Sequence, residues 1–414
     1  MAAAPLLKQL KKVKETIDPT PLDKSPTCED LNGLVEETSP PPTPQRSKGK
    51  SRRLPAPGHR RPDPNCSTWD YAMQAVAAFF LFSMWSLVPV FSVVFPIWCI
   101  FFTNYWYLML PYTIWYIYDF NTPVQGSRHL PWAREWSLWR HLAEYYPVGL
   151  VKTVDLPPDK NYILGSHPHG FWCTGVFCHL LTDGTNFRDE FPGFIPSLLT
   201  LNGQFWFPFR RDVGVSIGGV MSSRESLDYL LRTKSAGRMI GIVIGGSREL
   251  LEAHVGRHFT FLKTRRGFVR YALKYGQAFL TWHGLFPRTR SARTITSFNS
   301  PTSRARCCGE FRRVFSAFSR AIDPLLQDKI KEYCGFCPPI YRGRGLINPW
   351  IGLLPFRRPI TMVVGAPIPV ERRPEPTDEE IEELHAKYVK ALVALFEEHK
   401  ANFGVPPHKH LIIG

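Results

Sequence analysis

The residues best suited to chemistry are two histidines, His167 and His169, separated by one proline in the sequence NYILGSHPHG. Histidine titrates closer to neutrality than any other side chain, so it is the usual general base of an enzyme that works near pH 7. Pro168 fixes its own backbone angle, and Gly170 permits conformations that a Cβ atom would oppose. We therefore predict that a strand end presents both imidazoles, as in an active site.

Short elements of alternating type surround this turn and must position it. The predicted elements are strands at 161–165, 239–244 and 360–364, helices at 222–231 and 266–275, and a glycine-rich connection at 214–220. A longer C-terminal helix begins at a capping box of Thr377 and Glu380 and is closed by Gly404. Such alternation predicts an α/β domain whose helices pack on a mainly parallel or mixed sheet.

A long uncharged segment precedes this domain. Residues 71–118 contain no Asp, Glu, Lys, Arg or His and are dense in aromatic and aliphatic side chains. Because one membrane-spanning helix needs only about 20 apolar residues, we predict a membrane hairpin, either a transmembrane double span or a re-entrant loop. Pro89 and Pro96 are predicted to mark its kink or turn. Both ends of the hairpin then emerge on one side of the membrane.

The flanking sequence gives an orientation for the hairpin. Residues 46–61 form a basic run without acids, and the positive-inside rule then places both termini in the cytosol. Residues 1–70 are rich in Pro, Ser, Thr and Lys, so we predict that they are disordered. Residues 119–150 are predicted to hold an interfacial helix with its aromatic side chains on the bilayer, namely Trp132, Trp136, Trp139 and Tyr146.

Composition narrows the function classes. The chain has 414 residues and a formal net charge of +16 at pH 7, which favours contact with anionic lipid head groups or a phosphorylated substrate. No zinc-finger spacing or RNA-binding signature accompanies this charge, so no nucleic acid is predicted as a partner. Cys334 and Cys337 form a single CxxC without a matching pair, so no metal site is predicted. A homo-oligomer is compatible with the sequence.

Several motifs, in order and spacing, resemble the type 2 diacylglycerol O-acyltransferase family, which includes monoacylglycerol and wax acyltransferases. They are YYPVGLVKT from residue 145, HPHG from 167, GGSRELL from 245, RRGFVRYAL from 265, YRGRGL from 341 and GLLPFRRPITMVVGAPI from 352. The resemblance implies a glycerolipid-acyltransferase-like α/β fold after the hairpin. It also implies transfer of a fatty acyl group from acyl-CoA to diacylglycerol, without a cofactor, in the endoplasmic reticulum membrane, with product delivered to lipid droplets.

The residue chemistry is compatible with this reaction. A base must take the proton of the acceptor hydroxyl, and His169 is favoured over His167 because Gly170 leaves room for substrate. No acid follows the HPHG turn until Asp183, so Glu249 is the candidate that orients the imidazole and stabilises its protonated form. The candidate substrate-binding residues are Tyr145, Tyr146, Pro147, Pro168 and Gly170, with Arg265, Arg266 and Arg270 for the CoA phosphates.

One region departs from the family pattern. After Gly276 the family continues with a strand, whereas residues 277–308 contain no acid, carry five arginines and show no strand periodicity. Our hypothesis is that this stretch is translated from a wrong frame or a retained intron, so that a central strand is missing. Other functions therefore stay open beside the diacylglycerol enzyme: a monoacylglycerol or wax alcohol acyltransferase, an acyl-CoA hydrolase, or a non-catalytic membrane scaffold.

Overall fold

The structure is a computed structural model that describes residues 67–168, 172–233, 237–246, 249, 258–285 and 354–414. Most of the segment predicted to be disordered, residues 1–66, lies outside the described residues. The described strands are β1 Val148–Lys152, β2 Tyr162–His167, β3 Ile195–Thr200, β4 Gly219–Met221, β5 Arg238–Val243, β6 His258–Thr260, β7 Ala278–Leu285, β8 Ile360–Val364 and β9 Leu411–Ile413.

Seven of these strands form one mixed sheet in the order β1-β8-β7-β2-β5-β3-β4. Parallel pairings join β7, β2, β5, β3 and β4, whereas β8 runs antiparallel to β7 and parallel to β1. β2 is the central strand, and all its residues are buried. β6 and β9 form a separate two-stranded sheet. The prediction of an α/β domain with a mixed sheet is confirmed.

Helices cover both faces of the large sheet. They are α1 Thr68–Phe102, α2 Met109–Tyr118, α3 Pro131–Arg134, α4 Ser137–Tyr145, α5 Thr174–Val176, α6 Phe187–Glu190, α7 Arg210–Ser216, α8 Arg224–Arg232, α9 Gly267–Tyr275 and α10 Asp378–His399. The start of α1 packs with α4 and α5 in a first core that includes Leu164 of β2. Helices α8, α9 and α10 share a second core with Ile163, the preceding residue of β2. Neighbouring residues of one strand thus fill opposite cores, as the pleat of a strand requires.

Among the described helices, α1 alone is long and apolar enough to cross a membrane. It continues for 35 residues through Pro89 and Pro96, so the prediction that these prolines turn the chain is wrong. The helix ends at Thr103 instead, whose hydroxyl donates to the carbonyl of Cys99 at 2.8 Å and accepts the N–H of Tyr105 at 3.1 Å. Helix α2 has 10 residues, about 15 Å of helix against a hydrocarbon core of about 30 Å. The described residues therefore contain one candidate span and not two.

The segment predicted to be one interfacial helix folds as two short helices, α3 and α4. Trp139 and Tyr146 are buried in the first core, so the prediction that they face the bilayer is wrong. Trp139 donates its indole N–H to the carbonyl of Ala133 at 2.7 Å. Only Trp132 and Trp136 of the predicted aromatic face are exposed. Aromatic spacing did not separate these cases, because a protein core and a bilayer both accept apolar rings.

The stretch that we interpreted as lacking a strand begins with β7. This strand pairs with β2 on one side and with β8 on the other, and Phe279, Leu280 and Trp282 are completely buried. The hypothesis that a central strand is missing is therefore wrong. A strand covered on both faces has no polar side to alternate with its apolar side, which explains the absent periodicity. Residues 286–308, with all five arginines of the stretch, lie outside the described residues.

Candidate active site

The HPHG sequence begins at the carboxyl end of the central strand. β2 ends at His167, and its neighbours β5 and β7 run in the same direction and end at the same edge. Ligand sites of α/β sheets lie outside the carboxyl ends of such strands. β8 enters the sheet from this edge because it is antiparallel to β7. Residues 354–359, which precede β8, therefore approach the same edge as the HPHG sequence.

His167 is completely buried and is held through one of its ring nitrogens. Its Nε2 lies 3.0 Å from the hydroxyl oxygen of Tyr388, and that hydroxyl donates to the carbonyl of Gly165 at 3.2 Å. A tyrosine hydroxyl has one hydrogen, so when it donates to Gly165 it accepts the N–H of His167 at Nε2. A neutral imidazole in this tautomer carries its lone pair on Nδ1. Among the described residues, Nδ1 has no hydrogen-bond partner.

Glu249 is a buried carboxylate near this Nδ1. Its Oε1 lies 3.8 Å from Nδ1 of His167 and accepts the N–H of Phe261 at 2.9 Å. Glu249 follows β5 in the chain, so the pairing of β5 with β2 brings it to the end of the central strand. The structure thus places the predicted carboxylate beside His167. A separation of 3.8 Å gives an electrostatic contact and exceeds hydrogen-bond distance.

Tyr388 is a site residue that the sequence analysis did not identify. It lies on α10, within the stripe of buried residues that faces the second core. Burial, together with the nearby charge of Glu249, raises the pKa of Tyr388 well above its ordinary value, so its hydroxyl keeps its proton. The available signal was a tyrosine within a buried stripe, because a buried hydroxyl needs a hydrogen-bond partner.

A second buried histidine, His283, was also missed because it lies in the stretch interpreted as anomalous. It is the residue of β7 that pairs with His167 in the parallel register. Burial lowers the pKa of His283 to about 3, with smaller contributions from the neighbouring His167 and His258, so this ring is neutral. Neither of its nitrogens has a hydrogen-bond partner among the described residues. The described part of the chain contains no group of three or more His, Cys, Asp or Glu residues that could hold a metal.

Of the other HPHG and YYP residues, Pro168 and the YYP residues lie near this edge. His169 and Gly170 lie outside the described residues, and Pro168 directly follows β2. Tyr146 and Pro147 connect α4 to β1, and Tyr146 is buried. These substrate-binding assignments stay predictions.

Tyr145 joins three distant parts of the chain. Its hydroxyl donates to the carbonyl of Pro355, just before β8. The guanidinium of Arg357 lies 4.4 Å from the ring centroid of Tyr145 and 4.3 Å from that of Tyr71, in the first turns of α1. One cation stacked between two aromatic rings therefore fixes the start of α1 to the edge of the sheet that carries the HPHG sequence.

The arginines predicted to bind CoA phosphates lie together at the start of α9. Arg266 pairs with Glu382 at 2.5 Å, and Arg270 pairs with Asp378 at 3.0 Å. Both carboxylates belong to α10. The guanidinium of Arg265 lies 5.4 Å from the ring centroid of Phe261. Because two of the three arginines already have carboxylate partners, phosphate binding there requires exchange of an ion pair, and this role stays a prediction.

A buried imidazole that is hydrogen-bonded to a tyrosine and lies 3.8 Å from a carboxylate suits acid–base chemistry. Its place at the carboxyl edge of a sheet, with an apolar helix docked beside it, suits such chemistry at a membrane. The family model described as diacylglycerol acyltransferase matches residues 98–284 and 307–414. This chain belongs to the diacylglycerol acyltransferase family, as its motifs indicated. The match includes β7 except its last residue and is interrupted only at 285–306, so the departure from the family is narrower than the predicted 277–308.

Several curated proteins of this family are similar over most of their length. Human 2-acylglycerol O-acyltransferase 3 is 40% identical, covering 81% of this chain and 92% of the relative. Diacylglycerol O-acyltransferase 2 of Danio rerio is 39% identical, covering 75% and 81%. Acyl-CoA wax alcohol acyltransferase 2 of Mus musculus is 36% identical, covering 82% and 96%. The relatives share acyl transfer and differ in the acceptor that their names state. No solved structure matches this chain.

Proposed function

We propose that this protein is an acyl-CoA-dependent O-acyltransferase that esterifies diacylglycerol to triacylglycerol at the endoplasmic reticulum membrane. The observation that carries the proposal is the buried cluster of His167, Tyr388 and Glu249 at the carboxyl end of the central strand. Arg357 links this edge to an apolar helix, which suits an acceptor that is dissolved in a membrane. The family match supports acyl transfer as the reaction.

In the proposed mechanism, His169 is the general base and His167 is a positioning residue. His167 is buried and its Nε2 is bound to Tyr388, so it holds the strand end from which His169 follows two residues later. His169 removes the proton of the acceptor hydroxyl, whose oxygen attacks the thioester carbonyl and forms the new C–O bond. Collapse of the tetrahedral intermediate breaks the C–S bond, and the CoA thiolate takes the proton from the imidazolium.

Monoacylglycerol is the second candidate acceptor, because a relative at 40% identity is named a 2-acylglycerol O-acyltransferase. A wax alcohol is the third, on the same kind of evidence. Microsomes that contain the chain, supplied with radiolabelled acyl-CoA and one acceptor at a time, separate these candidates. The proposal expects labelled triacylglycerol that depends on added diacylglycerol. A label that appears only in diacylglycerol or in wax ester would assign the other acceptors.

The same assay tests the two alternative functions that do not involve acyl transfer to an acceptor, namely an acyl-CoA hydrolase and a non-catalytic membrane scaffold. Labelled free fatty acid without any ester would identify a hydrolase that uses the base on water. No turnover, with normal abundance, would favour a membrane scaffold, a reading to which the interruption of the family match at 285–306 lends support.

Both ends of the apolar segment are attached to the same α/β domain, which supports a re-entrant hairpin. Near the start of α1, Gln74 accepts a hydrogen bond from Arg357 and donates to Glu144 at 3.3 Å. After α2, Asp119 pairs with Arg211 at 2.5 Å. A hairpin that leaves and re-enters on one side puts both termini in the cytosol. It also fits the single leaflet of a lipid droplet, which a double-sided span does not.

Protease added to sealed microsomes tests this topology. Tags placed at both ends of the chain should both be digested, while a lumenal marker protein stays protected. Protection of one tag would contradict the hairpin and would leave the acyltransferase proposal intact, because that proposal does not depend on how often α1 crosses the bilayer.

A further inference from the structure

The connection between β3 and α7 exposes large apolar side chains. It reads LNGQFWFPF over residues 201–209 and is here called the aromatic loop. Trp206 is 62% exposed, Phe209 is 49% exposed and Leu201 is 47% exposed. Water-facing loops seldom carry three such side chains within nine residues, and contiguous apolar patches of this kind mark surfaces that bind a partner or a membrane.

The aromatic loop is fixed to α2, which continues from the candidate membrane helix. The hydroxyl of Tyr112 donates to Asp212 at 2.5 Å and accepts the N–H of Phe209 at 3.0 Å. The rings of Tyr112 and Phe209 stack with centroids 5.2 Å apart. One turn later, the hydroxyl of Tyr116 lies 3.2 Å from the carbonyl of Trp206. The exposed surface of the aromatic loop is therefore continuous with the exposed surface of α2.

Charged groups next to the aromatic loop set its depth. The guanidinium of Arg210 lies 4.4 Å from the ring centroid of Trp85, in the middle of α1. Arg211 and Asp212 follow in α7, where Arg211 pairs with Asp119 just after α2 and Asp212 accepts the hydroxyl of Tyr112 in the first half of α2. Charges are costly within the hydrocarbon core, so the level of α1 at which Arg210, Arg211 and Asp212 lie belongs at the polar boundary of the bilayer. From Leu87 to Phe102, α1 then extends about 24 Å beyond this level, less than the roughly 30 Å of a hydrocarbon core.

We propose that the aromatic loop is a membrane-contact element of the catalytic domain itself. Trp206 and Phe209 insert at the boundary between head groups and acyl chains, in the leaflet that α1 enters and beside α2. Tryptophan and other amphipathic rings concentrate at this level of a bilayer. We infer a lipid surface as the partner of the aromatic loop for two reasons. The loop is continuous with the apolar helices α1 and α2, and it lies at the same level as charged side chains that must stay at the boundary of the bilayer.

Depth-dependent fluorescence quenching tests the proposal on the full-length protein reconstituted in phosphatidylcholine vesicles. A solvatochromic amino acid replaces Trp206 in one sample. In a control sample it replaces Ile412, an exposed apolar residue of β9 that belongs to the separate small sheet. Lipids brominated in their acyl chains quench from the membrane side, and iodide quenches from water. The test reads no enzymatic activity, so its outcome is independent of the proposed function.

The proposal expects a blue-shifted emission at position 206, loss of that emission with brominated lipid and little loss with iodide. The derived depth should be roughly 5–10 Å into the boundary, where amphipathic elements lie. Position 412 should show the reverse. Tyr112→Phe removes the hydroxyl that binds Phe209 and Asp212, and should reduce bromine quenching at 206 while the protein stays in the membrane. Equal iodide quenching at both positions would overturn the proposal. Exclusion of both quenchers from 206 would also overturn it, since protein and not lipid would then cover the loop.

Discussion

Two buried polar clusters contrast in how completely the central side chain of each, Asp119 or His167, is paired. In the first, Asp119 accepts hydrogen bonds from Arg211 and Thr122 and pairs with Arg128. Burial alone would raise the pKa of Asp119, but these three partners lower it overall. In the second, at the end of β2, Nδ1 of His167 has no hydrogen-bond partner among the described residues. The first cluster ties α2 to the catalytic domain, and the second carries the candidate chemistry.

The difference separates a structural cluster from a reactive one. A buried cluster whose central carboxylate is paired through both oxygens resists change, because loss of that carboxylate leaves an opposite charge without its partner. A buried polar atom without a hydrogen-bond partner costs stability. It stays available, however, for proton transfer or for a hydrogen bond to a neighbouring residue that binds substrate. Substitutions in the first cluster should therefore lower stability, whereas substitutions that keep the shape of the second should lower turnover at nearly constant stability.

The largest expected effect is on stability, in Asp119→Ala. Removing this carboxylate takes away the nearest partner of the buried Arg211 and leaves the carboxylate of Asp212 at 3.6 Å, so we expect a loss of up to about 3–5 kcal/mol in the free energy of unfolding. Thermal unfolding of the detergent-purified protein measures it. Asp155→Ala is the matched control, because Asp155 pairs with Lys152 at the surface. The double variant Asp119→Ala with Arg211→Met should recover part of the loss. Equal unfolding temperatures for Asp119→Ala and the control would contradict the structural role.

His169→Ala should lower turnover by roughly a hundredfold or more, the range for loss of a positioned general base. Its abundance in microsomes should stay near that of the unmodified chain. His167→Ala is the informative comparison, because it removes a completely buried ring and should lower abundance as well as activity. Unchanged turnover in His169→Ala would remove the base assignment. His167 would then become the candidate for the general base.

Glu249→Gln should lower turnover by roughly tenfold, or about 1.4 kcal/mol, because its carboxylate lies 3.8 Å from His167 and acts on His169 only through that ring. Glutamine keeps an oxygen that can accept the N–H of Phe261, so the fold should tolerate it. Apparent affinity for acyl-CoA should change little, since the charge acts on the imidazole of His167 and not on the substrate. Glu383→Gln, at the surface pair with Lys387, is the control. Equal turnover in both variants would leave Glu249 a structural role only.

His283→Leu should alter the response of stability to acid. Its pKa of about 3 in the folded protein lies below the value of about 6.5 in an unfolded chain. The unfolded state therefore binds the proton first, so stability is present above about pH 6.5 and falls by about 1.4 kcal/mol per pH unit as the pH drops from there toward 3. The variant lacks this contribution, so its unfolding temperature should fall less between pH 6.5 and 5.5. Parallel curves for the two proteins would contradict a buried neutral His283.

Tyr388→Phe should give the smallest effect. It removes the hydroxyl that is hydrogen-bonded to His167. One such hydrogen bond is worth about 0.5–1.5 kcal/mol, so we expect a loss of turnover of up to roughly tenfold. Tyr162→Phe is a matched control at the other end of β2, where the hydroxyl donates to the carbonyl of Pro157 at 3.3 Å. Loss of turnover should exceed that of the control. If both variants behave alike, the hydroxyl of Tyr388 contributes only to general packing.

Much of the secondary structure could be predicted from the sequence. The strand at 360–364 coincides with β8, and β2, β5, α8 and α9 differ from their predicted limits by one or two residues. The capping box at Thr377 and Glu380 is present, with both reciprocal hydrogen bonds. These elements carry local signals, namely a short apolar run between turn residues or a helix cap. The candidate carboxylate was found for a similar reason, because Glu249 follows a glycine turn at a strand end.

Other features depend on contacts that a single sequence does not display. Residues 214–220 were predicted to be a glycine-rich connection, but they contain the end of α7 and the start of β4. Tertiary packing overrides weak local preferences there. Tyr388 and His167 are far apart in the chain, so their hydrogen bond has no local signature. Pro89 and Pro96 suggested a turn, yet neighbouring structure satisfies backbone groups that a proline frees in a membrane helix.

The position of β8 in the sheet fixes the order in which the molecule can be completed. Val148 of β1 pairs with Ile360 of β8, which is synthesised roughly 210 residues later. Among the described strands, β1 has no other neighbour. At about 5–20 residues per second, a ribosome needs on the order of 10–40 s to cover that distance. Helix α1 leaves the ribosome before β1, so it can enter a bilayer while the sheet is still open. The sheet would then be completed by β8 after α1 is already in the bilayer. The segment that leads into β8 also carries Arg357, which contacts α1.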